Sequence, residues 1–181
     1  LCKAQAAEGN SIDGTTGLLR HEGFMNSFET EVERSERYQQ KMTLMLLSVA
    51  GFNDLPATAK EPIQKAVAGA LRESLRRLDL SFSRQCPGLF AAILTETDAD
   101  VAKIVGERIA AAFQKLMAGK PLPGVAEAAL NIGFATYPTD ATHGNGLLEK
   151  AEEALACAVR EKVCILAFST ARDMADSGLK K

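Results

Sequence analysis

Residues 80–94 read LSFSRQCPGLFAAIL and have the pattern of a β-hairpin. Two apolar segments, Leu80–Arg84 and Leu89–Leu94, flank the sequence Cys86-Pro87-Gly88. A Pro-Gly pair favours a tight turn, because proline fixes its own φ and glycine tolerates a positive one. The stretch therefore predicts two strands joined by a tight turn.

The segments on either side of this hairpin alternate between helical and strand patterns. Apolar residues recur at helical spacing at about residues 22–40, 59–78, 98–117 and 145–161, the third with Thr97 or Asp98 as its N-cap. Short apolar runs predict three further strands, at residues 43–50, 126–137 and 163–168. The order is a helix followed by βαββαβαβ. It predicts one α/β (α+β) domain, built on a single sheet with helices against it.

The boundaries of this domain are expected at residues 12 and 169. We interpret residues 1–11 as a linker or the end of a preceding helix, and residues 170–181 as a C-terminal linker. The chain of 181 residues is long enough to bury a full core, and its hydrophobic content of 46% is typical of globular proteins.

Charge and cysteine content exclude several classes of protein. The 21 Lys and Arg against 23 Asp and Glu give a net charge of -2, which argues against nucleic-acid binding through a basic surface. The four cysteines are scattered without a C-x-x-C pair, so neither a disulfide framework nor a structural zinc site is expected. Apolar runs are far shorter than the ~20 residues of a membrane span. We expect a cytoplasmic domain, tethered to a membrane only through segments outside this fragment.

Six strings, in order along the chain, resemble the GGDEF domain, the module of diguanylate cyclases. They are Asp13–Phe24 (DGTTGLLRHEGF), Leu44–Phe52 (LMLLSVAGF), Arg76–Asp79 (RRLD), Phe90–Asp98 (FAAILTETD), Asn131–Pro138 (NIGFATYP) and Ala151–Leu155 (AEEAL). The resemblance implies a nucleotidyl-cyclase-like fold, in which a single central five-stranded, mostly antiparallel sheet is flanked by helices.

The resemblance also implies a chemistry, the condensation of two GTP molecules into cyclic di-GMP by a dimer. That reaction needs two carboxylates to hold Mg²⁺ on the triphosphate and a Gly-Gly turn that approaches the phosphates. The matching positions here are Ser48 and Ala50 in the first strand and Cys86–Phe90 in the hairpin. Counting from Asp79 moves the hairpin slot to Gln85–Leu89, which also contains no carboxylate. We therefore expect an inactive cyclase, a degenerate domain with no catalytic residue, no metal ligand and no cofactor.

Two further parts of the family's nucleotide site are also missing. The Asn-Asp pair for guanine is replaced by Pro56-Ala57, with Asn53-Asp54 standing three residues early. The Lys and the Gly-Arg-Asn of the last helix are lost at Val159–Val163. Mutually dependent catalytic parts fail as a unit, which reinforces the expectation of an inactive site.

An effector site is the remaining candidate. Cyclases of this family bind cyclic di-GMP on an R-x-x-D motif and a further Arg, which match Arg76, Asp79 and Arg108. Arg forks suit guanine edges and phosphates, and a carboxylate accepts the N1–H and N2–H of guanine. The alternative is that Arg76 and Asp79 form only a solvated ion pair at a helix end.

Other candidate residues point to no chemistry. His21 and His143 lack a second ligand at metal spacing and are interpreted as solvated surface histidines. Cys86 has only Arg84 as a nearby cation and is interpreted as a turn residue.

The main hypothesis is therefore a catalytically inactive regulatory domain of a cyclic di-GMP signalling protein of bacterial type. It would bind cyclic di-GMP, or GTP without turnover, and the resemblance implies fused EAL or sensory domains and allows a homodimer. The alternative hypothesis is a purely structural dimerisation or docking domain without nucleotide. An active diguanylate cyclase with a divergent site is the third and least favoured.

Overall fold

The computed structural model describes residues 12–118, 122 and 128–178. The strands are β1 (Met42–Val49), β2 (Leu80–Ser83), β3 (Leu89–Thr95), β4 (Leu130–Tyr137) and β5 (Ile165–Ala167). The helices are α1 (Phe24–Tyr38), α2 (Ala57–Ser74), α3 (Ala99–Ala118), α4 (Gly144–Glu161) and α5 (Phe168–Gly178). Short 3-10 turns lie at His21–Gly23 and Phe52–Asp54. The expected linker at residues 1–11 lies outside the described residues.

The five strands form one sheet in the order β2-β3-β1-β4-β5. β1 pairs antiparallel with both β3 and β4, β2 pairs antiparallel with β3, and only β4 and β5 run parallel. The predicted five-stranded, mostly antiparallel sheet flanked by helices is therefore confirmed.

β1 is buried on both faces, and its alternating side chains enter two separate cores. Met45, Leu47 and Val49 pack in a cluster with α2 and α3. Met42, Leu44 and Leu46 pack in a second cluster with α1 and α4. Side chains alternate between the faces of a strand, so a continuous apolar run fits a strand that is covered on both sides.

The boundary of α2 differs from the sequence-based expectation. The apolar spacing predicted a helix to residue 78, whereas α2 ends at Ser74 and Leu75 is extended. The backbone N–H of Arg76 donates to the Asp79 carboxylate at 2.8 Å, and such a side-chain bond competes with helical hydrogen bonding. Leu78, expected on the apolar face, is 66% exposed as a result.

Other boundaries agree to within a few residues. Asp98 caps α3, because its carboxylate accepts a hydrogen bond from Val101 N at 3.1 Å. β4 begins at Leu130, and residues 123–127 of the predicted strand lie outside the described part of the chain. The expected linker start at residue 170 falls within α5, whose Phe168 and Ala171 are buried. None of the helices in the described ranges is both long and apolar enough to cross a bilayer.

The close approach of α4 to β4 depends on Gly133. A Cβ added there would lie 2.0 Å from the backbone nitrogen of Leu155. We expect Gly133→Ala to lower the free energy of unfolding by at least about 2 kcal/mol, because the obstruction is backbone and cannot rotate away. Urea denaturation measures this change.

The matched control is Gly14→Ala, because nothing lies within 4 Å of a Cβ at that position. We expect it to change stability by about 0.5 kcal/mol or less. Equal effects of the two variants would contradict the tight packing of α4 on β4.

Candidate functional site

The sheet brings together the positions that the sequence assigned to the missing carboxylates. Ser48 in β1 lies opposite Leu89 in β3 and Asn131 in β4. The next residue, Val49, donates its backbone N–H to the carbonyl of Gly88 at 3.1 Å. The end of β1 and the β2–β3 turn therefore form one corner of the sheet.

The β2–β3 turn is the tight turn predicted from the sequence. Leu89 N donates to Cys86 O at 3.1 Å, with Pro87 and Gly88 at the central positions and a φ of 83° at Gly88. These are the features of a type II turn, in which the second central residue needs a positive φ. A Cβ on Gly88 would lie 2.5 Å from Cγ of Phe52, so the turn packs directly on that ring.

The donors at this corner do not fit the Mg²⁺ ions that the family's chemistry requires. Mg²⁺ is held by carboxylates and phosphates, whereas Ser48 offers a buried hydroxyl without a hydrogen-bond partner. The carbonyl of Gly88 is already bonded to Val49, and Leu89 is apolar. Across the described ranges, no group of three or more His, Cys, Asp and Glu residues is placed to hold a metal ion.

The other replaced positions lie at the end of α4 and in the turn that follows β1. Asn131 donates from Nδ2 to the carbonyl of Val163 at 2.9 Å, and Lys162 ends α4 in the left-handed region with a φ of 55°. Asn53 and Asp54 lie exposed in a 3-10 turn.

The second candidate site lies at the C-terminal end of α2. The Asp79 carboxylate accepts from Arg76 N at 2.8 Å and from Thr95 N at 3.1 Å, so it joins the α2–β2 loop to the end of β3. The guanidinium of Arg76 is exposed and forms no ion pair with Asp79. The Arg and Asp positions of the R-x-x-D motif are thus joined by a hydrogen bond from the backbone of Arg76, and the Arg76 side chain remains available to a ligand.

Arg108 reaches the same end of α2 from α3. Its Nη2 donates to the carbonyl of Ser74, the last residue of α2. Cations near helix C-termini pair favourably with the exposed carbonyls. The structure therefore places Arg76, Asp79 and Arg108 near the C-terminal end of α2, and it gives Asp79 and Arg108 side-chain bonds that support the fold.

A contact that the sequence did not indicate links this site to the N-terminal turn. Arg72 in the last turn of α2 donates from Nη2 to the carbonyl of Thr16. Thr16 in turn donates its N–H to the Asp13 carboxylate at 2.9 Å. Partial burial alone would raise the pKa of Asp13, but the hydrogen bonds from Thr16 outweigh it and the pKa lies below the usual range.

An open cavity of about 480 Å³ lies beside the N-terminal turn and the β2–β3 hairpin; its lining is Asp13, Arg20, His21, Glu22, Ser83, Arg84 and Gln85. The Arg84 guanidinium lies 4.5 Å from the centre of the Phe24 ring and 3.9 Å from the Glu152 carboxylate. Burial lowers the pKa of Arg84, and Glu152 partly offsets the shift. Cationic and acidic side chains are mixed here, so the cavity selects no single charge.

His21 differs from its expected place as a solvated surface residue. Its Nδ1 is buried without a hydrogen-bond partner, and its ring stacks on Phe24 at 6.5 Å between centroids. The reason is that the 3-10 turn before α1 directs the imidazole toward the buried Phe24. His143 is exposed immediately before α4, and Cys86 is exposed in the hairpin turn, as expected.

The contact of the hairpin turn with Phe52 can be tested by Gly88→Ala, with Gly51→Ala as its control. Both glycines have positive φ, but apart from its chain neighbours nothing lies within 4 Å of a Cβ at Gly51. The backbone cost of about 1–2 kcal/mol is shared. Because Gly88→Ala also displaces the Phe52 ring, we expect its free energy of unfolding, measured by urea denaturation, to fall by about 2 kcal/mol more than that of Gly51→Ala. Equal losses would contradict the contact between the turn and Phe52.

The structural role of Asp79 predicts the effect of Asp79→Ala. Removal of the carboxylate leaves the N–H of buried Thr95 without a partner. We expect the free energy of unfolding to fall by about 1–3 kcal/mol. Asp54→Ala, at an exposed acid in a 3-10 turn, is the control and should have little effect. If Asp79→Ala leaves thermal and urea unfolding unchanged, the hydrogen bonds of Asp79 contribute nothing to stability.

Comparisons with known proteins agree with this architecture. The family model described as "Diguanylate cyclase, GGDEF domain" matches residues 10–163. A search of curated proteins gives no match.

Solved structures of GGDEF domains share the fold. The GGDEF domain of TpbB (YfiN) from Pseudomonas aeruginosa has a TM-score of 0.77 at 20% identity, over 91% of this chain and 99% of that one. The GGDEF domain of DgcB from Caulobacter crescentus, solved in complex with c-di-GMP, has a TM-score of 0.72 at 20% identity, over 87% and 95%. The diguanylate cyclase SiaD from Pseudomonas aeruginosa, solved with its activator SiaC, has a TM-score of 0.73 at 21% identity, over 90% and 64%. The match over most of its length shows that the chain belongs to the GGDEF family, the diguanylate cyclase-like domain of cyclic di-GMP signalling.

Proposed function

We propose that this GGDEF domain does not turn over GTP and acts as a regulatory domain that binds cyclic di-GMP at Arg76, Asp79 and Arg108. The observation that carries the proposal is that the Asp79 carboxylate and the Arg108 guanidinium both form hydrogen bonds at the C-terminal end of α2, where Arg76 is exposed. The domain would work in the cytoplasm as part of a longer signalling protein with EAL or sensory domains.

The absence of turnover is supported by the chemistry of the β1 end. Condensation of two GTP molecules needs carboxylates that hold Mg²⁺ against the triphosphate. Ser48 and Leu89, which face each other across β1 and β3, offer a neutral hydroxyl and an apolar side chain. Gly88 leaves no room for an acid, because a Cβ there meets Phe52.

Effector binding is supported by the hydrogen-bonding capacity that remains at the α2 end. The Arg76 guanidinium makes no hydrogen bond within the described ranges, so all five of its N–H donors are available to guanine O6 and N7 or to a phosphate. Oδ1 of Asp79 accepts from both the N–H and the hydroxyl of Thr95, whereas Oδ2 accepts from Arg76 N and keeps a second lone pair for guanine N1–H or N2–H. Arg108 uses Nη2 on Ser74 and has further donors.

A second candidate function is a docking or dimerisation domain without nucleotide. It is favoured by the same bonds of Asp79 and Arg108, since both side chains already stabilise the α2–β2 corner. On this alternative Asp79 and Arg108 contribute to folding alone, and the exposed Arg76 side chain has no role. GTP held without turnover is a variant of the regulatory proposal.

Titration calorimetry with cyclic di-GMP and with GTP, each with and without Mg²⁺, distinguishes these functions. We expect cyclic di-GMP to bind and Arg76→Ala to weaken this binding at least about fivefold, because a bidentate contact to guanine contributes ~1–3 kcal/mol. Arg76→Ala is suitable because its side chain supports no described bond. The adjacent exposed Arg77→Ala is the matched control and should bind as the wild type does.

Three outcomes would contradict the proposal. If neither cyclic di-GMP nor GTP gives a binding signal, the docking function is supported. If Arg77→Ala weakens cyclic di-GMP binding as much as Arg76→Ala does, the effect is one of general positive charge and not of a specific contact. Cyclic di-GMP formed from GTP and Mg²⁺ would show an active cyclase.

A further inference from the structure

Two large apolar side chains are exposed at the level of the proposed effector site. Leu78, in the α2–β2 loop, is 66% exposed, and Ile104, in α3, is 61% exposed. Single exposed apolar residues need no explanation, but an apolar pair beside several arginines is a feature of binding surfaces.

Contacts between α2 and α3 place these two side chains next to the site. Arg108 bonds to Ser74 at the end of α2, while a Cβ on Gly69, five residues earlier, would lie 3.0 Å from Leu116. The two helices therefore run antiparallel. Ile104 precedes Arg108 by four residues, so it shares the face of α3 that carries Arg108 and lies beyond the end of α2.

The loop that carries Leu78 runs along this same stretch of α3. It leaves α2 at Ser74, opposite Arg108, and is bonded through Asp79 to Thr95, just before α3 begins. The two ends of residues 75–79 therefore lie at the levels of Arg108 and of the start of α3, and Ile104 lies between these two levels. Neither side chain is covered by the other element.

We propose that Leu78 and Ile104 form an apolar platform for the guanine faces of cyclic di-GMP. This inference rests on the proposed function and adds two residues to that site. A purine has polar edges and apolar faces, so a complete site needs both hydrogen-bonding groups and apolar surface. Arg76, Asp79 and Arg108 supply the first, and Leu78 and Ile104 supply the second.

The platform is tested by calorimetric titration of cyclic di-GMP into Leu78→Ser and Ile104→Ser variants of the chain. We expect each to weaken binding about fivefold, the change expected when roughly 40 Å² of apolar surface stays uncovered. Tyr38→Ser is the matched control, because Tyr38 is 62% exposed at the end of α1, outside the effector site. All three side chains are exposed, so the variants should unfold at the urea concentration of the wild type.

A second measurement detects the contact directly. With methyl-labelled protein, we expect nuclear Overhauser effects between the methyl protons of Leu78 and Ile104 and the H8 protons of the bound guanines. The platform is wrong if both serine variants bind cyclic di-GMP as tightly as the wild type and the wild-type complex shows no such nuclear Overhauser effects. If the wild type nevertheless binds and Arg76→Ala loses binding, the proposed function stands. If the wild type does not bind cyclic di-GMP, the effector function itself is wrong.

Discussion

The structure depends on the burial of β1 from both sides. β1 pairs with β3 and β4 along its whole length, and its side chains enter two cores that α2 and α3 cover on one face and α1 and α4 on the other. A strand without a polar face can only be central, because either face would otherwise expose apolar side chains to water. The positions of the four helices and of both candidate sites follow from this constraint.

At the corner where β1 ends, the β2–β3 turn packs directly on the residues that follow β1. The β2–β3 turn occupies the expected place, but its positive-φ glycine lies against Phe52. Ser48 faces the same corner with a buried hydroxyl that has no hydrogen-bond partner. The turn and the end of β1 are therefore held together by a backbone hydrogen bond and by packing on Phe52.

The end of α2 connects several elements through side-chain bonds to backbone groups. Arg72 reaches the N-terminal turn, Arg108 reaches the last carbonyl of α2, and Asp79 reaches the start of the loop and the end of β3. The bonds of Arg108 and Asp79 satisfy backbone groups at a helix end and a strand end, and that of Arg72 satisfies a carbonyl in a turn. A ligand at this place would therefore contact a part of the domain that already joins α2, α3 and the sheet.

The sequence by itself determined the order of elements, the central strand and the hairpin turn. These follow from local chemistry, since the spacing of apolar residues sets helix or strand and Pro87-Gly88 sets the turn. It also determined that no acid stands at Ser48 or Leu89. Only the tertiary structure decided that α2 ends at Ser74, because the competing Asp79 bonds depend on β3 lying alongside. The contacts of Arg72 with Thr16 and of Arg84 with Phe24 and Glu152 were likewise not predictable, because these partners are distant in sequence and meet only when the sheet has formed.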